Sequence, residues 1–227
     1  MSSLADLFAK GTGQRCDKWQ HYIEIYERYF SKFVGTKCTY LELGVAKGGS
    51  LQLMQDYLGT EARIIGVDID PECEKLREEG REIYIGDQSD DTLLDALTQN
   101  CAPFDIILDD GSHIPDHQIQ SFMRLFPLLK EGGVYVVEDL HTAFWYGYQD
   151  SRFGLNFYDF AKGLADKLSL YHVDHRLIVR YKQPREERTG YVAINNFATT
   201  DIFGIHFYDS IAVFEKRRRI EPYSELR

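Results

Sequence analysis

From Thr39 onward, short apolar runs alternate with longer segments whose apolar residues recur every three or four positions. The runs T-Y-L-E-L from Thr39, R-I-I-G-V-D from Arg63, E-I-Y-I from Glu82, F-D-I-I-L-D from Phe104 and V-Y-V-V-E from Val134 predict strands. Their β-branched, largely unalternated character is that of strands buried on both faces of a parallel sheet. Helices are expected between them: from Ser50 to about Tyr57, from Pro71, through Leu93, Leu94 and Leu97, and from Pro115 to Leu129. Such alternation over Thr39–Asp139 predicts a doubly wound, mostly parallel α/β sheet with helices on both faces.

Outside that stretch the period changes. After Cys16-Asp17-Lys18, residues Tyr22, Ile25, Tyr26 and Tyr29 share one helical face, with Asp17 placed to cap the helix. Residues 1–38 therefore read as a helical extension and 39–227 as the main domain. Beyond His141 come an aromatic loop (Phe144, Trp145, Tyr146, Tyr148), a helix near Leu155–Leu168, a charged loop Lys182–Arg188, and two strands around Ile202–Tyr208 and Ser210–Glu215. The last two are separated by too little chain for a parallel crossover, so they are expected to pair as an antiparallel hairpin.

Composition narrows the classes. The 227 residues are 44% hydrophobic and 27% charged, enough for one sizeable domain with a filled core. No run approaches the roughly 18 apolar residues of a membrane span, and the N-terminal residues lack the basic and apolar regions of a signal peptide, so a cytoplasmic location without membrane attachment is expected. A net charge of −10 argues against nucleic acid or anionic lipid as partner and for a small molecule. Cys16, Cys38, Cys73 and Cys101 form no C-x-x-C pair, which leaves them reduced and structural. The basic run Lys216–Arg219 reads as a solvated strand end rather than a phosphate patch.

The chemistry lies where ligands gather in such folds, at the carboxyl ends of strands. The first strand runs into L-E-L-G-V-A-K-G-G-S, carrying Glu42, Gly44, Gly48 and Ser50, a glycine-bearing turn that fits neither the dinucleotide G-x-G-x-x-G nor the P-loop spacing. The second ends at Asp68, the third at Asp87-Gln88, the fourth at Asp109, Asp110 and His113, and the fifth at Glu138-Asp139 with His141 close behind. Asp, Gly and Ser are also ordinary turn residues, so the acids can equally cap helices or pair with surface Lys and Arg. Two acid clusters at neighbouring strand ends instead favour a convergence of Asp110, Glu138 and Asp139, an oxygen donor set suited to magnesium or manganese. A weakly acidic hydroxyl cannot be deprotonated readily by a histidine of ordinary pKa, about 6.5, without such a cation.

E-L-G-V-A-K-G-G-S resembles motif I of the class I S-adenosylmethionine-dependent methyltransferases, and Asp68 and Asp87-Gln88 fall at the strand ends that resemblance requires. It implies a Rossmann-like, seven-stranded sheet with an antiparallel C-terminal strand, and a cofactor held by Glu42, Gly44, Gly48, Ser50, Asp68, Asp87, Gln88 and Asp109. L-D-D-G-S-H, V-V-E-D-L-H-T, the N-terminal C-D-K-W-Q-H-Y and the C-terminal I-H-F-Y-D-S-I-A-V-F-E-K are together similar to metal-dependent sugar O-methyltransferases of the mycinamicin and rhamnosyl-polyketide tailoring type. That resemblance implies a divalent metal on Asp110, Glu138 and Asp139, His113 as general base, and a sugar or glycosylated acceptor, and it leaves room for a homo-oligomer. His141 is the rival base, or a residue orienting a carboxylate. Where the family reads G-T-D-K, this chain has G-T-G-Q-R-C-D-K, so Asp17, Lys18 and His21 receive no role. His117, His172, His175 and His206 have no such motif around them and read as structural. Trp145, Tyr146 and Tyr148 either line an acceptor pocket or pack on their own domain. The competing readings are a metal-dependent catechol or phenol O-methyltransferase and a non-catalytic S-adenosylmethionine-binding partner.

Overall fold

A computed structural model describes residues 2–11, 13–79, 81–148, 151–152, 154–169 and 197–220; the expected charged loop, His172 and His175 lie outside them. The strands are β1 (Thr39–Leu43), β2 (Arg63–Asp68), β3 (Glu82–Ile85), β4 (Phe104–Asp109), β5 (Leu129–Val137), β6 (Ile202–Tyr208) and β7 (Ile211–Lys216). They form one sheet in the order β3-β2-β1-β4-β5-β7-β6. β1 to β5 pair in parallel, whereas β7 runs antiparallel to both β5 and β6. The expected closing hairpin is therefore present, with its second strand inserted between β5 and β6. The chain order reverses between β1 and β4, the point at which doubly wound sheets bind ligands.

Every residue of β1 is buried and β4 is buried except at Asp105, as unalternated runs require. Side chains alternate across the sheet. Tyr40, Ile64, Ile106, Leu108, Val134 and Val136 face one core together with helices α1 (Leu4–Lys10), α2 (Gln20–Phe30) and α3 (Gly49–Leu58). Leu41, Ile65, Ile107, Tyr135 and Val137 face the other, against α4 (Asp91–Asn100), α5 (Pro115–Leu125) and α6 (Phe157–Lys167). The N-terminal helices are thus built into the first core, where Tyr22, Tyr26 and Phe30 have almost no exposed surface.

Several bounds move. α1 was not anticipated, although Ser3 and Asp6 form a reciprocal capping box at its start. Trp19, not Asp17, occupies the N-cap of α2, and it makes no side-chain cap bond. The segment from Pro71 is a 3₁₀ helix to Glu79 rather than an α-helix. α5 stops at Leu125 and tightens into a 3₁₀ turn, Phe126–Leu128, because Pro127 has no N–H to continue the ladder; Leu129 already belongs to β5. The basic run ties down a strand end: Lys216 donates to the Pro127 carbonyl, Arg217 lies over the Phe203 ring, and Arg218 pairs with Asp201. All four cysteines are free, and burial pushes the Cys16 and Cys73 thiols up to about 11. Among the described residues no helix is long and apolar enough to cross a membrane.

Candidate active site

The tips of β1, β4 and β5 sit side by side, the amide of Asp110 donating to the Leu43 carbonyl and that of Glu138 to the Asp109 carbonyl, both at 2.9 Å. Alternation then sorts the acids. Glu42, Asp110 and Glu138 continue the face shared with α2 and α3, while Asp109 falls on the opposite face. Asp109 has no exposed surface; it accepts from Gln88 Nε2 at 3.0 Å and from the Tyr135 hydroxyl at 3.3 Å, and burial pushes its carboxyl up to about 7. Asp109, expected at the cofactor, thus has its carboxylate enclosed in the second core.

On the first face, Asp110, His113 and Asp139 bring one donor atom each to within 4.8 Å of one another, and among the described residues this is the group able to hold a metal ion. His113 Nε2 is 3.6 Å from Asp139 Oδ2, and its Nδ1 is buried without a partner. Both residues adopt a left-handed backbone, φ 58° at His113 and 54° at Asp139, a conformation that costs a non-glycine residue energy and gathers at functional sites. Glu138, expected as a third ligand, lies beside that group rather than in it: it is 1% exposed, accepts from Lys18 Nζ at 3.0 Å on each oxygen, and accepts from the Tyr26 hydroxyl. A carboxylate has about four acceptor positions, so one remains.

Lys18 is the site residue that sequence reasoning passed over. Its side chain is 4% exposed, and its ammonium donates to Asp110 and Glu138 and lies 4.0 Å from Glu42. Burial alone would lower its pKa, but Asp110, Glu138 and Glu42 outweigh burial and keep it charged. Glu42 itself is fully buried, accepting from Tyr40 and Ser50 hydroxyls, so Glu42 and Ser50 brace the loop from beneath.

Two clefts flank this group and share Gly44. The first, about 340 Å³, is lined by Gly44, Val67, Asp68, Ile69, Asp87, Gly111, Ser112, Ile114 and His117 among others. The second, about 310 Å³, is lined by Arg15 to Lys18, the loop Gly44–Lys47, Gly49, Ser50 and Asp110. Gly44 is held at φ +84°, and a Cβ there would lie 2.1 Å from the Asp110 carbonyl oxygen, so only glycine lets the two loops meet. Gly48 caps α3 in a left-handed conformation. Asp68 accepts from the amides of Val45 and Ala46 at 2.9 and 2.8 Å, pinning the loop. Gln88 lines the first cleft, but its amide is committed to Asp109, Ser121 and the Ser112 N–H. Asp87 stays at the cleft with His117 Nδ1 3.7 Å away, and the Ser112 hydroxyl is 3.0 Å from the same nitrogen. Nothing in the sequence around His117 marked it as a cleft residue.

His141 is not among the group around Asp110. Its ring stacks on Trp19 at 4.8 Å and meets Trp145 edge-on at 4.6 Å, while Tyr146 is fully exposed. The aromatic loop thus does not pack away entirely; Trp19 and Trp145, each about half exposed, leave an aromatic surface on both sides of His141.

Residues 41–140, which hold all these strand ends and the acid cluster, match the family described as a methyltransferase domain. The chain carries a methyltransferase domain. The tetracenomycin rhamnosyl 3'-O-methyltransferase and rhamnosyl 2'-O-methyltransferase of Streptomyces olivaceus are 32% and 34% identical to this chain over 96% and 88% of its length, covering 55% and 52% of their own. Mycinamicin VI 2''-O-methyltransferase of Micromonospora griseorubida is 32% identical over 86% of the chain and 48% of its own. Among solved structures, MycE methyltransferase from mycinamycin biosynthesis superposes with a TM-score of 0.78 in its complex with Mg and SAH, and 0.77 with Mg, SAH and mycinamycin VI. These are 28% identical, covering 99% and 96% of this chain and 56% and 54% of theirs. The chain spans about half the length of the curated relatives it matches.

Proposed function

We propose that this methyltransferase domain transfers a methyl group from S-adenosylmethionine to a hydroxyl of a sugar or glycosylated small molecule, with the aid of a divalent cation. The observation that carries the reading is the convergence of Asp110, His113 and Asp139 beside the shared glycine of two clefts. The sugar O-methyltransferases among its relatives and the Mg and SAH complexes of MycE support it.

The donor set fits magnesium or manganese: two carboxylates at strand tips, a third on Glu138 with one acceptor position free, and an imidazole whose Nδ1 is otherwise orphaned. Asp110, Asp139 and Glu138 would hold the cation, which supplies charge stabilisation to an oxygen losing its proton. The first cleft, with apolar walls at Val67, Ile69 and Ile114 and acids at Asp68 and Asp87, suits a nucleoside, and the second suits the amino-acid half of the cofactor. His113 takes the acceptor proton at Nε2, and its position next to Asp139 keeps the resulting imidazolium beside a carboxylate. The rest of the acceleration comes from holding the hydroxyl in line with the sulfonium methyl. Trp19 and Trp145 offer ring faces to the apolar side of a sugar. Residues 1–38 serve as a helical extension to the domain over 39–227.

The test is an acceptor panel of rhamnosylated polyketides, their aglycones and catechols, incubated with methyl-labelled S-adenosylmethionine and Mg²⁺. Label is expected on a sugar hydroxyl and not in the presence of EDTA. Label on catechols alone, or binding of NAD with no binding of S-adenosylhomocysteine by calorimetry, would overturn the reading.

A further inference from the structure

Tyr22 and Tyr26 are four residues apart in the first two turns of α2 and share one of its faces, and Lys18 lies in the segment just ahead of that helix. Each donates a hydrogen bond to an acid of the candidate cation site: Lys18 to Asp110 and Glu138, Tyr22 to Asp139 Oδ1 at 2.7 Å, and Tyr26 to Glu138. The row is locked in place at its leading end. A Cβ on Gly49 would lie 2.2 Å from the Arg15 carbonyl oxygen, so the segment ahead of Lys18 lies directly on the start of α3.

We propose that Lys18, Tyr22 and Tyr26 are positioning residues that hold the Asp110, Glu138 and Asp139 carboxylates in the arrangement that receives a divalent cation. The proposal rests on the metal-dependent reading above. Buried carboxylates of like charge splay apart unless donors fix them, and a cation that meets them splayed must first gather them. The outer partners of metal ligands commonly set affinity for this reason. Tyr26 and Lys18 together occupy all but one acceptor position of Glu138, so the oxygen left free has a fixed direction. Tyr22 does the same from the far side for Asp139, leaving Oδ2 to face His113.

The experiment measures Mn²⁺ binding by calorimetry and by the Mn²⁺ electron paramagnetic resonance spectrum in the full chain and in Tyr22→Phe, Tyr26→Phe and Lys18→Met. Tyr29→Phe is the control, since the Tyr29 hydroxyl meets Tyr208 rather than an acid of the candidate cation site. Tyr22→Phe and Tyr26→Phe are expected to fold as the wild type and to bind Mn²⁺ about 10–100-fold more weakly with an altered spectrum, while Tyr29→Phe binds unchanged. Wild-type affinity in both tyrosine variants would overturn the proposal, as would tighter binding by Lys18→Met, which would make the ammonium a competitor of the cation. If Lys18→Met does not fold, the two tyrosine variants decide alone. A wild-type chain that takes up no Mn²⁺ overturns the metal reading itself, and this proposal with it.

Discussion

His113 Nε2 faces Asp139 Oδ2 across 3.6 Å, and each residue pays for that meeting with a left-handed backbone. Two strained residues from the ends of different strands, turned towards each other, mark where the molecule places function ahead of local stability. The pair also poses the sharpest question about the site, because an imidazole there can take a proton or hold a cation.

If His113 acts as the base proposed above, binding should survive its removal. His113→Ala is expected to lower kcat by roughly 10²–10⁴-fold while Mg²⁺ or Mn²⁺ content and S-adenosylhomocysteine affinity stay near wild type. Metal analysis after dialysis, alongside turnover, separates the two roles: loss of the metal would make His113 a ligand. His141→Ala, which removes the ring between Trp19 and Trp145, should raise KM for the acceptor more than it lowers kcat.

Asp139→Asn removes a charge from the group of donor atoms and leaves the Tyr22 hydroxyl an acceptor. Cation binding by calorimetry should fall below detection and activity with it, at an unchanged circular dichroism spectrum. Activity that survives excess EDTA in the wild type would refute the metal site.

Asp109 makes the protein's stability depend on pH in a direction opposite to that of a paired carboxylate. Its folded pKa is raised to about 7 by burial, above the unfolded value of about 3.9. The folded state therefore holds a proton that the unfolded state gives up, and stability falls as pH rises from about 4 to 7, by at most about 1.4 kcal/mol per pH unit. Asp109→Asn, measured by urea unfolding across that range, should lack this part of the slope and be more stable than wild type at pH 8.

Gly44→Ala and Gly132→Ala both place a side chain at positive φ, but only the first meets other atoms. Gly132→Ala should cost about 1–2 kcal/mol, the backbone strain alone. Gly44→Ala should cost more and weaken cofactor and cation binding together, since the Cβ drives the glycine loop away from Asp110. Equal melting temperatures for the two variants would mean that the loops separate freely.

Much of this arrangement can be read without coordinates because buried parallel strands carry their own signature. T-Y-L-E-L, R-I-I-G-V-D, F-D-I-I-L-D and V-Y-V-V-E reach their carboxyl ends where the pattern puts them, and with them the neighbourhood of Glu42, Asp68, Asp110 and Asp139. Asp109 and Asp110 are harder to tell apart: adjacent acids at a strand tip go to opposite faces, and which face holds the site depends on packing from distant helices. Lys18 is harder still. Its partners lie 92 and 120 residues away, and no local pattern distinguishes a lysine beside a helix start from one that enters a buried acid cluster. The signals for α1 and for the early end of α5, Ser3 with Asp6 and Pro127, are local ones that the expected elements did not use, although capping and a missing N–H decide the outcome there.

The distance along the chain between Lys18 and Glu138 also sets an order of events during synthesis. At about 5–20 residues per second, the ribosome delivers the carboxylate on the order of ten seconds after the ammonium that will hold it. Asp110 arrives partway through that interval, 92 residues after Lys18, and the strand that flanks β5, Ile211–Lys216, is later still. The acid cluster is therefore completed only when β5 has been made, and a chain interrupted before it has its glycine loop, its lysine and Asp110 but neither Glu138 nor Asp139.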